Sequence, residues 1–184
     1  MALSSMSDPG LVLLPTHRIV KQMPISGGEL ESALSQHFKI KRMANEALLE
    51  ELEAVTGSDA RLFGIALPGG TGLLLTLANP SDALGKISSQ GSDRLKLLDV
   101  TILHELIFGK VLGLTGLDFF SYTRDPEEAL QAVENGAGAS FLMNPPSVQD
   151  MREIALGGEK MPQKSTYYYP KILSGLVVWS LNDF

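Results

Sequence analysis

Short apolar segments recur along this chain, and their spacing changes between the two-residue period of a strand and the 3.6-residue period of a helix. The first, residues 11–14, lies between a turn signal at residues 8–10 and Pro15, which predicts a buried strand. A helix is predicted next, because Ser26 and Glu29 have the spacing of a capping box and apolar residues then recur on one helical face.

The next segments predict a strand, a helix and a hairpin. Residues 38–43 alternate apolar and basic side chains, so we expect a strand with one solvated face. Leucines at helical spacing, with glutamates between them, predict a helix over residues 46–55 that Gly57 ends. The apolar runs at 62–67 and 73–77 flank a glycine-rich turn, which indicates a β-hairpin. A phosphate-binding loop would open a helix, whereas a strand-like run follows this turn, so the hairpin is favoured.

A polar stretch separates the hairpin from the most apolar helix of the chain. Residues 79–92 contain Pro80 and two glycines, and they predict a mobile surface loop that could act as a lid. Asp99 is positioned to cap the helix that follows, and the broad apolar stripe of that helix ends before Gly113. This helix is predicted to be the central, buried one.

Strand and helix patterns alternate twice in the last third of the chain. A strand at 117–122 precedes a helix capped by Asp125, and a strand at 139–143 precedes a helix capped by Ser147. A final, mostly buried strand is predicted at 173–181.

The composition agrees with a globular protein, since 44% of the residues are hydrophobic and 20% are charged. Together with the alternation of elements, it predicts an α+β fold. This is a mixed α/β sheet flanked by helices, with one β-hairpin, in a single compact domain over residues 1–184. The net charge of -6, from 15 Lys+Arg and 21 Asp+Glu, argues against general nucleic-acid binding, which uses a basic surface.

The cysteine and histidine content limits which covalent, nucleophilic and metal sites the chain can form. The absence of cysteine excludes disulfides, cysteine nucleophiles and thiolate metal sites. The three histidines, His17, His37 and His104, are far apart and have none of the short spacings of zinc sites. No segment has the apolar core of a secretory signal or the ~18 apolar residues of a membrane-spanning helix. We therefore expect a cytoplasmic protein without a metal site or a membrane partner.

The run from Gly158 to Lys171 has the composition of a binding site. It supplies positive charge, hydroxyl groups and aromatic rings through Lys160, Lys164, Lys171, Ser165, Thr166, Tyr168 and Tyr169. Such groups fit an anionic or phosphorylated small molecule. A Walker A loop is excluded, because Gln163 stands where its second glycine belongs and Pro162 interrupts the loop. The alternative is a solvated loop that packs its tyrosines beneath itself and uses its prolines as stiffeners.

Histidine chemistry adds candidate catalytic residues. His17 and His104 are candidate proton carriers, because histidine alone has an unperturbed pKa close to neutral pH, and Glu105 is adjacent to His104. Arg18 joins Lys164 as a candidate ligand for phosphate oxygens. The alternative for His104 is a histidine at the edge of the core, hydrogen-bonded to backbone.

Three motifs together resemble those of a known family. They are Asp8-Pro9-Gly10-Leu11 with Leu14-Pro15-Thr16-His17-Arg18, Leu98-Asp99-Val100 with Leu103-His104-Glu105, and Met161-Pro162-Gln163-Lys164-Ser165-Thr166 with Pro170-Lys171. Over essentially residues 1–184, the chain resembles the C-terminal part of the family called domain of unknown function 1015. The family assigns no roles to the matching residues.

The resemblance implies a two-part molecule. The N-terminal region of such proteins bears an Asp-Gly-His-His-Arg signature, similar to the one in ParB-like folds and in a free-serine kinase. That signature does not occur in this sequence, so we expect the region that carries it to be missing and the isolated chain to lack activity.

Two hypotheses about function follow. The first is the anion-binding half of a two-part phosphotransfer-type enzyme, whose partners are a phosphorylated small molecule and the missing N-terminal domain or a partner chain carrying it. Its candidate residues are His17, His104 and Glu105 for catalysis, and Arg18, Lys164, Ser165, Thr166, Tyr169 and Lys171 for the ligand. The second is a non-catalytic interaction module that docks a partner, or a second copy as a homodimer, through its tyrosine run.

Overall fold

A computed structural model describes residues 5, 6, 8, 10–56, 60–116 and 118–171. Within these residues the strands are β1 (Val12–Leu14), β2 (His17–Val20), β3 (Phe38–Ala44), β4 (Leu62–Ala66), β5 (Thr71–Leu77), β6 (Phe120–Thr123), β7 (Ala139–Met143) and β8 (Tyr167–Tyr169). The helices are α1 (Gly27–Leu34), α2 (Ala47–Ala54), α3 (Pro80–Lys86), α4 (Asp93–Lys96), α5 (Asp99–Thr101), α6 (Pro126–Glu134) and α7 (Val148–Leu156), and a π-helix, Ile102–Val111, continues α5.

Six strands form one antiparallel sheet in the order β3-β5-β4-β7-β2-β6. Strand β2 lies between β7 and β6, which places Arg18 opposite Phe141 on one side and Tyr122 on the other. Strands β1 and β8 form a separate antiparallel pair. Because only two residues separate β1 from β2, this small sheet is attached next to the end of β2 that carries His17.

Apolar side chains cover both faces of the six-stranded sheet. Along β5, Leu73 and Leu75 belong to the core that includes residues of α1 and the π-helix, whereas Leu74 belongs to the core that includes residues of α2 and α6. Strands β4 and β7 are buried at every position, as expected for strands covered on both faces. The predicted α+β fold, a sheet flanked by helices with one β-hairpin, is confirmed. In the described part of the chain, every helix is too short or too polar to cross a membrane.

Helix starts follow the local sequence. In the capping box of α1, the Ser26 hydroxyl accepts from the Glu29 N–H, and the Glu29 carboxylate accepts from the Ser26 N–H at 2.9 Å. Asp125 and Ser147 cap α6 and α7 as predicted. These caps explain why the helices begin where the sequence predicts.

The prediction of a loop over residues 79–92 was wrong for its first half. The Asn79 side chain accepts hydrogen bonds from the N–H groups of Ser81 and Asp82, and Pro80 occupies the first turn of α3. Proline suits this position because its ring fixes a helical φ and its missing N–H would have had no partner.

Other predictions also need correction. Leu98, not Asp99, occupies the cap position of α5, and Asp99 lies in the first turn, 3.5 Å from Arg61. Strand β1 forms but is not buried, since it pairs with β8 outside the main sheet and leaves Val12 45% exposed. Strands β2 and β8 were not predicted. The predicted helix end at Gly57, the residue Leu117 and the predicted strand at 173–181 lie outside the described residues.

Candidate functional site

The run that predicts an anion site forms a tight turn after α7. The Ser165 hydroxyl donates to the Pro162 carbonyl at 2.6 Å, and the Ser165 N–H points to the same oxygen at 3.4 Å. Lys164 has a φ of 59°, in the left-handed region that is unfavourable for a residue with a side chain. Its ammonium lies 5.7 Å from the centroid of the Tyr122 ring. The turn therefore presents an exposed cation beside the edge strand β6.

Arg18 lies beneath this turn and is only 1% exposed. One terminal nitrogen, Nη2, donates to the Lys164 carbonyl at 3.0 Å. The other, Nη1, donates to the Thr16 carbonyl and to the Met143 sulfur, the latter at 3.0 Å. The Nε atom is buried and has no hydrogen-bond partner. Burial lowers the pKa of Arg18 to about 10, so the guanidinium remains charged at neutral pH.

Two pockets flank Lys164 and Tyr122, and both of these residues line each pocket. The apolar pocket has a volume of about 340 Å³ and is lined further by Ser89, Leu95, Val100, Thr101, His104, Glu105, Pro162 and Gln163. The polar pocket has a volume of about 590 Å³ and is lined further by Thr16, Thr123, Arg124, Asp125, Glu128, Thr166, Tyr167 and Lys171. Lys164 and Tyr122 thus form a shared wall between an apolar and a charged compartment.

Three cations line the polar pocket. Arg124 and Lys171 both approach the Tyr167 ring, with the guanidinium carbon 3.9 Å and the ammonium 4.3 Å from its centroid. Together with Lys164, they form no ion pair with any carboxylate of the described residues. Their charges are therefore available to an anion in the pocket.

Two acids lie on the α6 side of the polar pocket. Asp125 accepts from the N–H groups at the start of α6, at 2.9 Å from the Glu127 nitrogen. Glu128 accepts a hydrogen bond from the Thr123 hydroxyl. Their negative charge makes this side unfavourable for an anion, so the side with Lys164 and Lys171 is the favourable one.

His104 and Glu105 lie on the π-helix and line the apolar pocket. His104 packs edge-on against Phe108 and Phe120, and burial, with a smaller contribution from the Arg18 charge, lowers its pKa to about 4. Its imidazole is therefore neutral at pH 7. Glu105 accepts hydrogen bonds from the N–H groups of residues 88 and 89, at 2.7 and 3.1 Å. This carboxylate fixes the backbone that closes one side of the pocket.

His17 lies beside Arg18 but lines neither pocket. Its Nδ1 accepts from the Met143 N–H at 3.2 Å, so in the neutral ring Nε2 carries the proton, and Nε2 is buried without a partner. Burial, with a smaller contribution from the Arg18 charge, lowers its pKa to about 4, while Asp125 opposes the shift. The imidazole is therefore neutral at pH 7.

Asp99, from the second motif, lies near Arg18 in the lining of a small cavity of about 20 Å³. Its carboxylate is 3.5 Å from the Arg61 guanidinium, which is also 3.8 Å from Asp150. Burial raises the pKa of Asp99 to about 7, although Arg61 opposes this shift. The motif therefore places a carboxyl with a raised pKa behind the site rather than in it.

The structure brings most of the predicted site residues together. Lys164, Thr166 and Lys171 line the polar pocket, and His104 and Glu105 line the apolar one. The others lie outside the two pockets: Arg18 is buried beneath the turn, Ser165 is a buried residue of the turn itself, His17 lies beside Arg18, and Tyr169 is 55% exposed on β8.

Sequence reasoning missed two residues of the site. Tyr122 forms the shared wall and Arg124 is the third cation of the polar pocket. Tyr122 lies within β6, and Arg124 follows this strand directly before the Asp125 cap of α6, where a loop often carries functional side chains. The position after a strand was the available signal, but nothing local connected it with residues 160–171.

Solved structures share this fold. A mutant free serine kinase in complex with ADP aligns with a TM-score of 0.51 at 11% sequence identity, and one in complex with AMP aligns at 0.50 and 12%. A conserved hypothetical protein from Pyrococcus furiosus aligns at 0.47 and 14%. Each alignment covers 91% of this chain, but the chain spans 57% of the two kinase chains and 60% of the third. At these identities the likeness to the two kinase structures establishes the fold alone. No curated protein matches the chain.

The family prediction from the motifs is confirmed, with one correction. The family model matches residues 1–101, the N-terminal part of this chain, whereas the motifs predicted a resemblance to the C-terminal part of the family over essentially residues 1–184. The matched region includes the motifs around His17 and Asp99, whereas His104 and the turn at Lys164 lie beyond it. Because the match spans more than half of the 184 residues, the chain belongs to the family described as Protein of unknown function (DUF1015).

Proposed function

We propose that the chain is the ligand-binding half of a two-part phosphotransfer-type enzyme and that it binds a nucleotide across the two pockets. The phosphates would occupy the polar pocket and the base the apolar pocket. The observation that carries the proposal is the shared wall, where Lys164 and Tyr122 separate a cationic compartment from an apolar one. A nucleotide has the same division between an anionic and a planar, less polar part.

The charge distribution supports the phosphate position. Arg124, Lys164 and Lys171 converge on one pocket without forming ion pairs with described carboxylates. Hydrogen bonds between such cations and phosphate oxygens are stronger than neutral ones. Thr166, which lines the same pocket, can donate a further hydrogen bond from its hydroxyl. In phosphotransfer, positioning and charge neutralisation of this kind account for most of the catalysis.

The apolar pocket suits a planar group. Its volume of about 340 Å³ is within the range of small-molecule sites. The Tyr122 ring offers a stacking surface, and the neutral imidazole of His104 can exchange a hydrogen bond with a ring nitrogen or a hydroxyl of the ligand. With a pKa of about 4, His104 is a weak base at neutral pH, so we assign it to binding rather than to proton transfer.

The likeness in fold to a kinase solved with ADP and AMP favours a nucleotide over other phosphorylated molecules. The chain spans 57% of those kinase chains, which is compatible with a reaction completed by a further domain or a partner chain. In this proposal the groups that activate the acceptor belong to that second part.

Calorimetric titration of the purified chain with ADP, pyrophosphate and adenosine tests the proposal. The key variant is Lys164→Met, which removes the charge but keeps a side chain of similar length on the left-handed backbone. We expect it to weaken pyrophosphate and ADP about tenfold, as for one lost charge-assisted contact, and to leave adenosine binding unchanged. Lys160→Met, at an exposed lysine that lines neither pocket, is the matched control and should leave all three affinities unchanged.

The probes also separate the two pockets. If both are used, ADP binds more tightly than either pyrophosphate or adenosine, and rising salt weakens ADP but not adenosine. Equal pyrophosphate affinity in the wild type and in Lys164→Met would exclude the phosphate site at this turn.

Exposed apolar side chains on the small sheet favour a second candidate, an interaction module. Val12, Tyr168 and Tyr169 are 45%, 40% and 55% exposed on strands β1 and β8. Tyrosine is enriched at protein interfaces, so this surface could dock a partner or a second copy of the chain. Light scattering after size exclusion tests the homodimer: a dimer that Tyr169→Ser converts to a monomer, with no response to ADP, would favour the module.

A further inference from the structure

Arg18 is a buried cation without a carboxylate partner among the described residues. It is 1% exposed, yet none of their ion pairs includes it. Removing a guanidinium from water without a counter-charge is unfavourable for folding. A methionine or leucine would fill the same volume without this cost, so packing alone does not account for an arginine at this position.

The contacts of Arg18 indicate what the guanidinium does. Its terminal nitrogens reach the carbonyls of Thr16 and Lys164 and the sulfur of Met143, and so connect β7 and the start of β2 with the turn. The contact with Lys164 spans 146 residues of sequence and meets the one described non-glycine residue with a positive φ. A planar guanidinium has two nitrogens in a fixed fork, which lets it hold two carbonyls at a set distance.

From these contacts we infer that Arg18 is the positioning residue of the phosphate site. It anchors the Lys164 carbonyl, holds the turn in its left-handed conformation and thereby fixes where the Lys164 ammonium stands between the two pockets. Arg18 does not contact the ligand itself. This inference rests on the proposed function, in which Lys164 holds a phosphate oxygen.

The charge of Arg18 has a second effect on the site. It contributes to lowering the pKa of both His17 and His104, although burial is the larger cause. Arg18 therefore helps to keep the imidazole in the apolar pocket neutral. A variant that keeps the positive charge but lacks the two guanidinium nitrogens can separate the effect on the histidine pKa values from the anchoring of the turn.

Trypsin cleavage measures the anchoring without any ligand. In Arg18→Lys the charge stays, but the hydrogen bond to the Lys164 carbonyl is lost, and we expect cleavage after Lys164 to become at least about tenfold faster. Cleavage after Lys160, an exposed site that Arg18 does not contact, serves as the internal reference in the same digest. An unchanged ratio of the two cleavage rates would overturn the anchoring.

Pyrophosphate binding then tests whether the anchoring acts through Lys164. We expect Arg18→Lys to weaken pyrophosphate about tenfold in the presence of Lys164 and less than twofold in the Lys164→Met background. Equal effects in both backgrounds would show that Arg18 acts on the ligand by another route and would overturn the inference. If the wild type does not bind pyrophosphate, the proposed function and the ligand role of Arg18 both fail, while the cleavage ratio still decides whether Arg18 anchors the turn.

Two further measurements test these roles, and the first of them needs no Arg18 variant. In the wild type, a pyrophosphate titration should shift the nuclear magnetic resonance signals of the Arg18 guanidinium and of the Lys164 amide, and both shifts should give the same affinity. In Lys164→Met the guanidinium signals should not shift. In folded variants, the His104 pKa should rise in Arg18→Met and stay low in Arg18→Lys. A guanidinium signal that does not shift when pyrophosphate binds would contradict the roles assigned to Arg18. Equal His104 pKa values in Arg18→Met and Arg18→Lys would contradict them as well.

Discussion

Two ends of the molecule differ in how well their polar groups are hydrogen-bonded. One end contains α1 and β3, and the other contains the Lys164 turn. At the first end, Ser26 and Glu29 satisfy each other's backbone N–H groups. Asn45, only 5% exposed, both donates to the Leu67 carbonyl and accepts from the Leu67 N–H. At the second end, buried polar atoms of the described residues have no partner: His17 Nε2, Arg18 Nε and Ser89 Oγ.

The location of these three atoms is informative. Ser89 lines the apolar pocket, Arg18 anchors the turn between the pockets, and His17 is its neighbour. Buried polar groups in native proteins are rarely left without hydrogen bonds, and the exceptions point to functional sites. The α1 end is therefore built for stability, whereas the turn end tolerates unfavourable groups, of which Ser89 lines a pocket that a ligand can fill.

The largest expected effect is on the pH dependence of stability, because the turn end holds two neutral histidines, the buried His17 and the half-buried His104. Their pKa values of about 4 lie below the value of 6.5 expected in the unfolded chain, so the unfolded state binds more protons between these limits. Each histidine should therefore cost about 3 kcal/mol of unfolding free energy as the pH falls from 7 to 4. Denaturant unfolding at a series of pH values measures the loss.

Asp99 changes the unfolding free energy with pH in the opposite direction to the two histidines. This gives a second test of the predicted pH dependence. Its pKa of about 7 lies above the value of 3.8 expected in the unfolded chain, so its contribution to stability grows as the pH falls through this window. Asp99→Asn should therefore steepen the acid loss, and His104→Gln should reduce it by about half of the histidine contribution. Wild type and Asp99→Asn with identical slopes would contradict the assignment.

A smaller but clear effect is expected at the α1 end, where the polar groups are paired. Asn45→Ala leaves the Leu67 N–H and carbonyl without their side-chain partner, and we expect a loss of about 2 kcal/mol in the free energy of unfolding. Thermal or urea unfolding measures this loss. Pyrophosphate affinity should not change, since Asn45 lines neither pocket.

The matched control is Asn135→Ala, at an exposed asparagine after α6. It should change the unfolding free energy by less than about 0.5 kcal/mol. If Asn45→Ala behaved like this exposed variant, the satisfied network at the α1 end would not be the source of stability that the comparison requires.

The sequence predicted the α1 end well because its signals are local. The Ser26 and Glu29 spacing, the alternation in residues 38–43 and the glycine-rich turn each depend on neighbours within a few residues. Strand β2 was missed because its four residues, His17–Val20, show no alternation: all are buried, and two of them are polar. Their pattern makes sense only when β6 and β7 are placed on either side.

For the turn end, the sequence predicted the types of side chain in the site but not how they are arranged in space. The run 158–171 indicated an anion site, and Lys164, Lys171 and Thr166 do line the polar pocket, whereas Lys160 lines neither pocket. Arg18 was predicted to hold phosphate oxygens, yet it is buried and holds the Lys164 carbonyl instead. Contacts across 146 residues, such as this one, are not encoded in local spacing. For the same reason no sequence signal joined Tyr122 and Arg124 to the turn.

The smallest expected effect is at Ser89, and its sign is what matters. Ser89→Ala deletes a buried hydroxyl that has no hydrogen-bond partner, so we expect the unfolding free energy to stay the same or to rise by up to about 1 kcal/mol. Ser26→Ala is the matched serine at the other end, where loss of the α1 cap should cost about 1 kcal/mol. Urea unfolding of the two variants compares the ends directly. A loss at Ser89 as large as the loss at Ser26 would mean that this hydroxyl is satisfied in solution, and Ser89 would then no longer distinguish the turn end. Opposite signs, with ADP binding weakened only by Ser89→Ala, would indicate that the hydroxyl is kept for the ligand rather than for the fold.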